Sequence, residues 1–247
     1  MESKENGAWK NRLWAIGDIG DNNLHMSDAQ SVCKQITTYG PSGLALRRIY
    51  PDSYDVTYEA RGQTYPQATS KIKQSMQQGA LVFNYNGHGA PQRLSHTFLL
   101  EESDVTANVS DSQPLWVLAS CEITPYDQNM SDLGRDALFN KNGPALGIIC
   151  ASRSVYATYN CALNKGFYKY VFNTDENGKR VSIAEALRQT KNELVTSKNN
   201  TIGSDYTINK LKYAYLGDPA VPLDYAADGI QIDSINAYAI DLSLIHI

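Results

Sequence analysis

Two side chains in this sequence combine reactivity with a setting suited to acyl chemistry. His88 sits in Asn86-Gly87-His88-Gly89, three residues beyond the apolar run Ala80 to Tyr85, and Cys121 directly follows Leu115-Trp116-Val117-Leu118-Ala119-Ser120. A free thiol has a pKa of about 8.5, so thiol catalysis needs a neighbour to take its proton and an acid to protonate the departing amine; an imidazole does both. Gly87 and Gly89 let the chain turn sharply and let a substrate carbonyl approach the main chain. On that reading the backbone amides of Gly89 and Cys121 are the expected oxyanion donors. Asp18 and Asp21, after an earlier apolar run, are the candidates to orient the His88 ring. Position alone leaves a second account open, because a cysteine ending a buried strand often serves as a small core residue and Gly-His-Gly is often only a turn.

The other reactive residues fit packing better. Cys33 falls on the apolar face of a helical pattern and Cys150 ends an apolar run. Cys161 lies near a helix start, where the dipole lowers a thiol pKa, but no histidine is within sequence reach, so a structural role is expected. The four cysteines show neither C-x-x-C nor zinc-type spacing, which disfavours a metal ribbon and leaves disulfides undecided by counting. His96, between polar neighbours, reads as solvated. The acidic, amide-rich Asp18 to Asn23 lacks the order of an EF-hand loop and reads as a turn before a calcium site. No residue is assigned to a metal, and no cofactor is expected.

These residues require a scaffold that gathers strand ends. Arg12 to Ile16, Leu44 to Tyr50, Ala80 to Tyr85 and Leu115 to Ser120 read as strands, the last two as central strands of a parallel sheet, and the apolar run Ala145 to Cys150 completes the alternation. Helical patterns separate them. One begins at a Ser27/Gln30 capping-box spacing, buries Ala29, Val32, Cys33 and Ile36, and stops at Gly40. A second runs from about Ala68 to Gln78 with Ile72 and Met76 inward, and a third covers Leu133 to Phe139. Leu163, Phe167 and Tyr170 share a face, as do Ile183, Leu187, Thr190 and Leu194 behind a Ser182/Glu185 capping box. Residues 51–65 form a polar excursion without assignment, and 101–109 a polar connection. The alternation predicts an α/β fold with a doubly wound parallel sheet covered by helices, and function in the crevice at the carboxyl ends of the strands.

With 247 residues, 42% apolar and 19% charged, the chain can bury a full core. A net charge of −4 with both signs interspersed gives no basic stripe, which argues against a nucleic-acid partner. No stretch approaches the roughly 20 apolar residues of a membrane-spanning helix. Residues 1–9 read as a lead-in, 10–225 as the principal domain, and 226–241 as the start of a further β domain, from the alternation of Ile230, Ile232 and Ile235. Residues 242–247 resemble translated sequencing adapter and are expected to lie outside the fold.

The ordered set Asp21-Asn22-Asn23-Leu24-His25-Met26, Asn84 to Gly89, Ala119-Ser120-Cys121-Glu122, Val155-Tyr156-Ala157, Leu163-Asn164-Lys165 and Leu216-Gly217-Asp218-Pro219-Ala220 resembles the gingipain-type cysteine peptidases of the caspase-like clan, in particular their type IX secretion sortases. The resemblance spans most of 10–225. It implies a mostly parallel sheet in a three-layer α/β/α caspase-like sandwich, with Cys121 as nucleophile and His88 as acid/base. It further implies a sortase that removes a carboxy-terminal signal domain from secreted cargo through a thioester and passes the cargo to a lipopolysaccharide amine. The expected location is the outer-membrane surface of a Bacteroidota bacterium, beside other type IX components. Gingipains select a basic residue with a carboxylate-bearing pocket; by strand order Arg153, Tyr156 and Asp127 are the pocket candidates, each as well explained by structure. Two alternatives are a general secreted endopeptidase of the same fold and a catalytically silent scaffold module.

Overall fold

The computed structural model describes residues 7–196 and 207–226 together with the short strands at 234–235 and 238–239. In chain order the elements are β1 (Arg12–Gly17), α1 (Leu24–Tyr39), β2 (Ala45–Ile49), the hairpin β3 (Thr57–Glu59) and β4 (Gly62–Thr64), α2 (Pro66–Gln78) and β5 (Val82–Asn86). Three two-residue strands follow, β6 (Gly89–Ala90), β7 (Arg93–Leu94) and β8 (Leu100–Glu101), then α3 (Glu102–Thr106), β9 (Leu115–Ala119), α4 (Leu133–Phe139) and β10 (Gly147–Ala151). The chain continues through α5 (Ala157–Tyr170), α6 (Ile183–Thr196), α7 (Thr207–Lys212) and β11 (Tyr213–Gly217), and the pair β12 (Ser234–Ile235) and β13 (Tyr238–Ala239) is antiparallel.

Six strands form the central sheet in the order β11-β10-β9-β5-β1-β2. All neighbours are parallel except β10 and β11. Every residue of β5, β9 and β10 is buried, as expected where helices cover both faces of a parallel sheet. The edge strand β2 instead exposes Arg47 and Arg48, charges that discourage pairing with another chain. One face packs against α1, α5 and α6 around Val32, Ile36, Phe167 and Leu187. The other packs against α2, α3 and α4 around Ile72, Met76, Val105 and Leu133. The result is the three-layer α/β/α sandwich that the resemblance implies.

Strand order doubles back between β1 and β5, so the loops after their carboxyl ends diverge and open a crevice there. A buried polar network fixes the end of β5. Tyr168 of α5 donates to Asn84 Oδ1 at 3.1 Å, and Asn164 and Asn84 both donate to Asn86 Oδ1, at 3.2 and 2.9 Å. Such groups are costly to bury unpaired, so the network resists any slip of the strand that carries the Gly87-His88-Gly89 turn.

Several elements depart from the expectations. Helix α1 starts at Leu24, three residues before the Ser27 capping signal, after Asp21, Asn22 and Asn23 in the left-handed region (φ 47°, 54° and 64°). Part of the 101–109 connection is the short helix α3, closed by a capping box between Glu101 and Asp104. The segment ending in Leu216-Gly217 is an antiparallel strand beside β10. The polar excursion contains the β3–β4 hairpin. Of the 226–241 pattern, Ile235 lies on β12, while Ile230 and Ile232 fall outside the described residues, as do 242–247.

Packing of α3 against α4 brings Asp136 beside Glu102. Burial first, then the Glu102 carboxylate, push the Asp136 carboxyl from its ordinary 3.8 up to about 6. A group whose native pKa is raised favours folding fully below its unfolded value, and that contribution is lost as pH rises through about 6. Asp136→Asn, which cannot ionise, should therefore raise Tm at pH 7 by about 2–4 °C, the shift of roughly 1 kcal/mol in a chain this size. Near pH 3.5 the substitution should change little. Calorimetric melts at both pH values check this, and an equal effect at the two would contradict it.

Candidate active site

The β5–β9 register ends on the pair Asn86 and Ala119, and the Gly87 amide donates to the Ala119 carbonyl at 3.2 Å. His88 and Cys121 are each two residues past that pair. Their two turns touch: a Cβ on Gly89 would meet Ser120 Oγ, Ile123 Cδ1 and, at 3.1 Å, the Cys121 carbonyl oxygen. Only glycine permits that approach. At Gly87 a Cβ would collide with the Tyr85 ring and Asp18 Cβ. Glycine at both positions thus makes room for neighbouring side chains and, at Gly89, for the Cys121 backbone as well.

The histidine turn is held through its main chain. The His88 amide donates to Asp18 Oδ2 at 3.0 Å, and its carbonyl accepts from the Tyr85 hydroxyl at 2.7 Å and the Ser95 amide at 2.8 Å. Asp18 is 1% exposed, and its other oxygen accepts from the Ile19 amide. Of the two orienting candidates, Asp18 therefore secures the backbone, and Asp21 meets the ring. His88 Nε2 lies 2.7 Å from Asp21 Oδ2. The hydrogen bond from His88 is the main influence holding the Asp21 carboxyl below the ordinary carboxylate range, against a small opposing effect of burial.

His88 has two further imidazole neighbours that sequence reasoning passed over. His25, in the first turn of α1, stands edge-on to it with ring centroids 4.7 Å apart. His96 is exposed as expected, yet its ring packs on His88 at 4.6 Å. Burial, reinforced by the nearby His88, pushes His25 below the ordinary histidine pKa. The clue available for His25 was its i, i+4 spacing from Asp21, which becomes meaningful only once the helix is known to begin at Leu24.

Cys121 is half-buried and faces the loop after β10. The Val155 amide donates to its Sγ at 3.4 Å, and Sγ lies 3.5 Å from the Val155 carbonyl oxygen. The next residue, Glu122, adopts φ 45°, a strained conformation for a non-glycine residue. Its amide donates to the Arg153 carbonyl at 3.3 Å, and its carboxylate accepts from Ser154 Oγ at 2.9 Å. The β9 and β10 loops are thereby tied together behind the sulfur. Val155 stands in one of the motifs that carry the resemblance, but its contact with the sulfur is main-chain and no side-chain pattern announces it.

Of the pocket candidates, Arg153 and Asp127 are brought together and engage each other. Arg153 grips Asp127 with two hydrogen bonds, at 3.0 and 2.5 Å, and both side chains are about half exposed. That contact holds the Asp127 carboxyl below its ordinary range. Tyr156 is 61% exposed, with its amide anchored on Asn209 Oδ1. Cys33 and Cys150 are buried, and all four cysteines are free. Burial pushes the Cys150 and Cys161 thiols up to about 12, Asp28 adding to the effect on Cys161, so the helix dipole does not prevail there.

A mostly parallel sheet between helical layers, with a thiol and an imidazole on adjoining strand ends, places the chain in the caspase-like class of α/β folds. Within that class the chain belongs to peptidase family C25, the gingipain family of cysteine peptidases, whose model matches residues 1–224. The fold is shared with the Arg-specific cysteine proteinase gingipain R, at 14% identity and a TM-score of 0.68 over 92% of this chain and 50% of that one. It is shared likewise with RgpB in the complex of the Porphyromonas gingivalis pro- and mature domains, at 13% identity and a TM-score of 0.66 over 92% and 51%. A third structure, described simply as a protease, matches at 16% identity and 0.66 over 91% and 50%. The chain thus spans about half the length of these proteins. No curated protein sequence matches it significantly.

Proposed function

We propose that this chain is the catalytic domain of a cysteine endopeptidase in which Cys121 is the nucleophile and His88 its acid/base partner. The observation that carries the reading is the shared register: both side chains sit two residues beyond one paired position on adjacent strands, with Asp21 against the His88 ring. With Nε2–H donated to Asp21, Nδ1 keeps the lone pair needed to take the thiol proton. The Cys121 thiolate attacks the peptide carbonyl, and the oxyanion is met by the Gly89 and Cys121 amides. The carbon–nitrogen bond breaks as the departing amine takes the proton from His88, leaving a thioester. An incoming amine or water then adds to the thioester, gives its proton to His88, and the carbon–sulfur bond breaks.

Within the family we read the chain as the peptidase part of a PorU-type sortase, on the ordered motifs in which it resembles that protein. Its substrates would be secreted cargo bearing a carboxy-terminal signal domain, and its acceptor a lipopolysaccharide amine at the outer-membrane surface, beside other type IX components. Among the described residues no helix is long and apolar enough to cross a membrane. The Arg153–Asp127 pair bears on specificity. A pocket for a basic side chain at Asp127 would have to displace Arg153, which fits a sortase recognising a whole domain better than a digestive enzyme reading one charged residue.

The test is partition. Incubating the chain with a signal-domain substrate should release that domain, and an added primary amine should divert the cargo from free acid to amide in proportion to amine concentration, read by mass spectrometry. Hydrolysis untouched by amine would leave a simple endopeptidase. No cleavage, with no labelling by an electrophilic peptide, would leave a peptidase-like scaffold.

A further inference from the structure

The Asp21, His25 and His88 side chains converge on one point. Asp21 Oδ2 lies 2.7 Å from His88 Nε2 and 3.3 Å from His25 Nε2, and the three ligand-type atoms fall within 4.8 Å of one another. A tetrahedral zinc ion with bonds of about 2.0–2.1 Å to nitrogen and oxygen holds its ligand atoms roughly 3.3–3.5 Å apart. Small side-chain movements would therefore admit an ion at the centre of this set. Imidazole and carboxylate are also the donor types that borderline divalent metals prefer.

A second observation points to a ligand. His25 is 5% exposed, and its enclosed Nε2 lies 3.3 Å from Asp21 Oδ2 without forming an aligned hydrogen bond. A buried ring nitrogen that faces a carboxylate without an aligned hydrogen bond calls for an explanation, and service as a metal ligand is one of the few available. The Asp21-Asn22-Asn23 turn, with three successive residues in the left-handed region, is what carries the carboxylate to both rings. Strain of that kind persists only where surrounding structure enforces it.

We propose that Asp21, His25 and His88 form a binding site for a borderline divalent cation, of which Zn2+ is the best fit, and that its occupation switches the peptidase off. A metal on Nε2 leaves His88 with a proton fixed on Nδ1 and no free lone pair, so the ring cannot accept the Cys121 proton. It also takes Asp21 away from its orienting role. Two histidines and one carboxylate leave a fourth coordination position for water, so the ion binds reversibly in competition with chelators. The inhibitory half of this proposal rests on the peptidase reading; the binding half does not.

Calorimetric titration of the full chain with ZnCl2, carried out on Cys121→Ala to remove that thiol, should give one saturable site, and Co2+ should develop the visible absorption of a tetrahedral complex. His25→Gln and His88→Gln should each weaken Zn2+ binding at least about tenfold, the low end of the loss seen even for residues that only support a metal ligand. Cooperative melting certifies that each variant is folded, and if His25→Gln fails to fold, His88→Gln on its exposed turn carries the comparison. Absence of a saturable site in the parent, or unchanged affinity in a folded variant, overturns the proposal. In parallel, labelling of wild-type Cys121 by an electrophilic peptide should proceed in EDTA and be suppressed by Zn2+. Zinc binding without labelling in EDTA would sink the peptidase reading and leave the metal site standing. Labelling in EDTA without zinc binding would sink the metal site alone.

Discussion

Cys121→Ala should lower kcat/KM for a cleavable peptide by about 10⁴-fold or more and abolish labelling by an electrophilic peptide, because an acyl-transfer site stripped of its nucleophile retains only binding and oxyanion stabilisation. Such a loss is about 5 kcal/mol or more of transition-state stabilisation. No other thiol is positioned to substitute. Cys33 and Cys150 are buried, and the Cys150 and Cys161 thiols stand at about 12, so they offer almost no thiolate at neutral pH. The variant should melt as the parent does, since the Cys121 sulfur contacts only the Val155 main chain among its hydrogen-bonding partners. Mass spectrometry of the labelled protein decides: an adduct on any other cysteine, or one surviving in the variant, removes Cys121 from the role.

The second large effect is expected at His88. Replacing it with asparagine removes the proton acceptor for the thiol and the donor for the leaving amine, which should reduce hydrolysis by about 10²–10⁴-fold. The turn itself should survive, because Asp18, Tyr85 and Ser95 hold residue 88 through its backbone amide and carbonyl, which asparagine retains. Loss of rate with unchanged melting would therefore be chemical in origin. Partial recovery of electrophile labelling at alkaline pH, where bulk base can take the thiol proton, should accompany it. A variant that keeps wild-type hydrolysis would show that another group moves the proton.

Much of this arrangement was legible in the sequence because strands buried on both faces announce themselves as unbroken apolar runs. The ends of β5 and β9, and hence the placement of His88 and Cys121, follow from Ala80 to Tyr85 and Leu115 to Ser120 to within a residue. The bounds of α4 coincide with the apolar pattern and its Asp132 cap. Local chemistry misled at α1, where the Ser27/Gln30 spacing imitates a capping box inside a helix already begun at Leu24. The acidic Glu102–Thr106 stretch carries no periodic apolar face, and contact with α4 makes it helical. Strand β11 follows α7 without a turn signal, and only its pairing with β10 defines it. Asp18 and Asp21 are alike in sequence; burial of one and the left-handed turn under the other separate their tasks.

The ladder between β5 and β9 has a consequence for how this chain tolerates change. Because Asn86 faces Ala119 across a fixed rung, the placing of His88 and Cys121 two residues past adjoining strand ends is set at the rail and owes nothing to the length of chain running between them. Segments inserted or trimmed around α3, on the far side of the sheet from α1, would leave that placement intact, whereas adding one residue inside either strand would turn the residues beyond it to the opposite face. Relatives too diverged to align should thus be recognisable by which strand ends carry histidine and cysteine, whatever the interval separating the two.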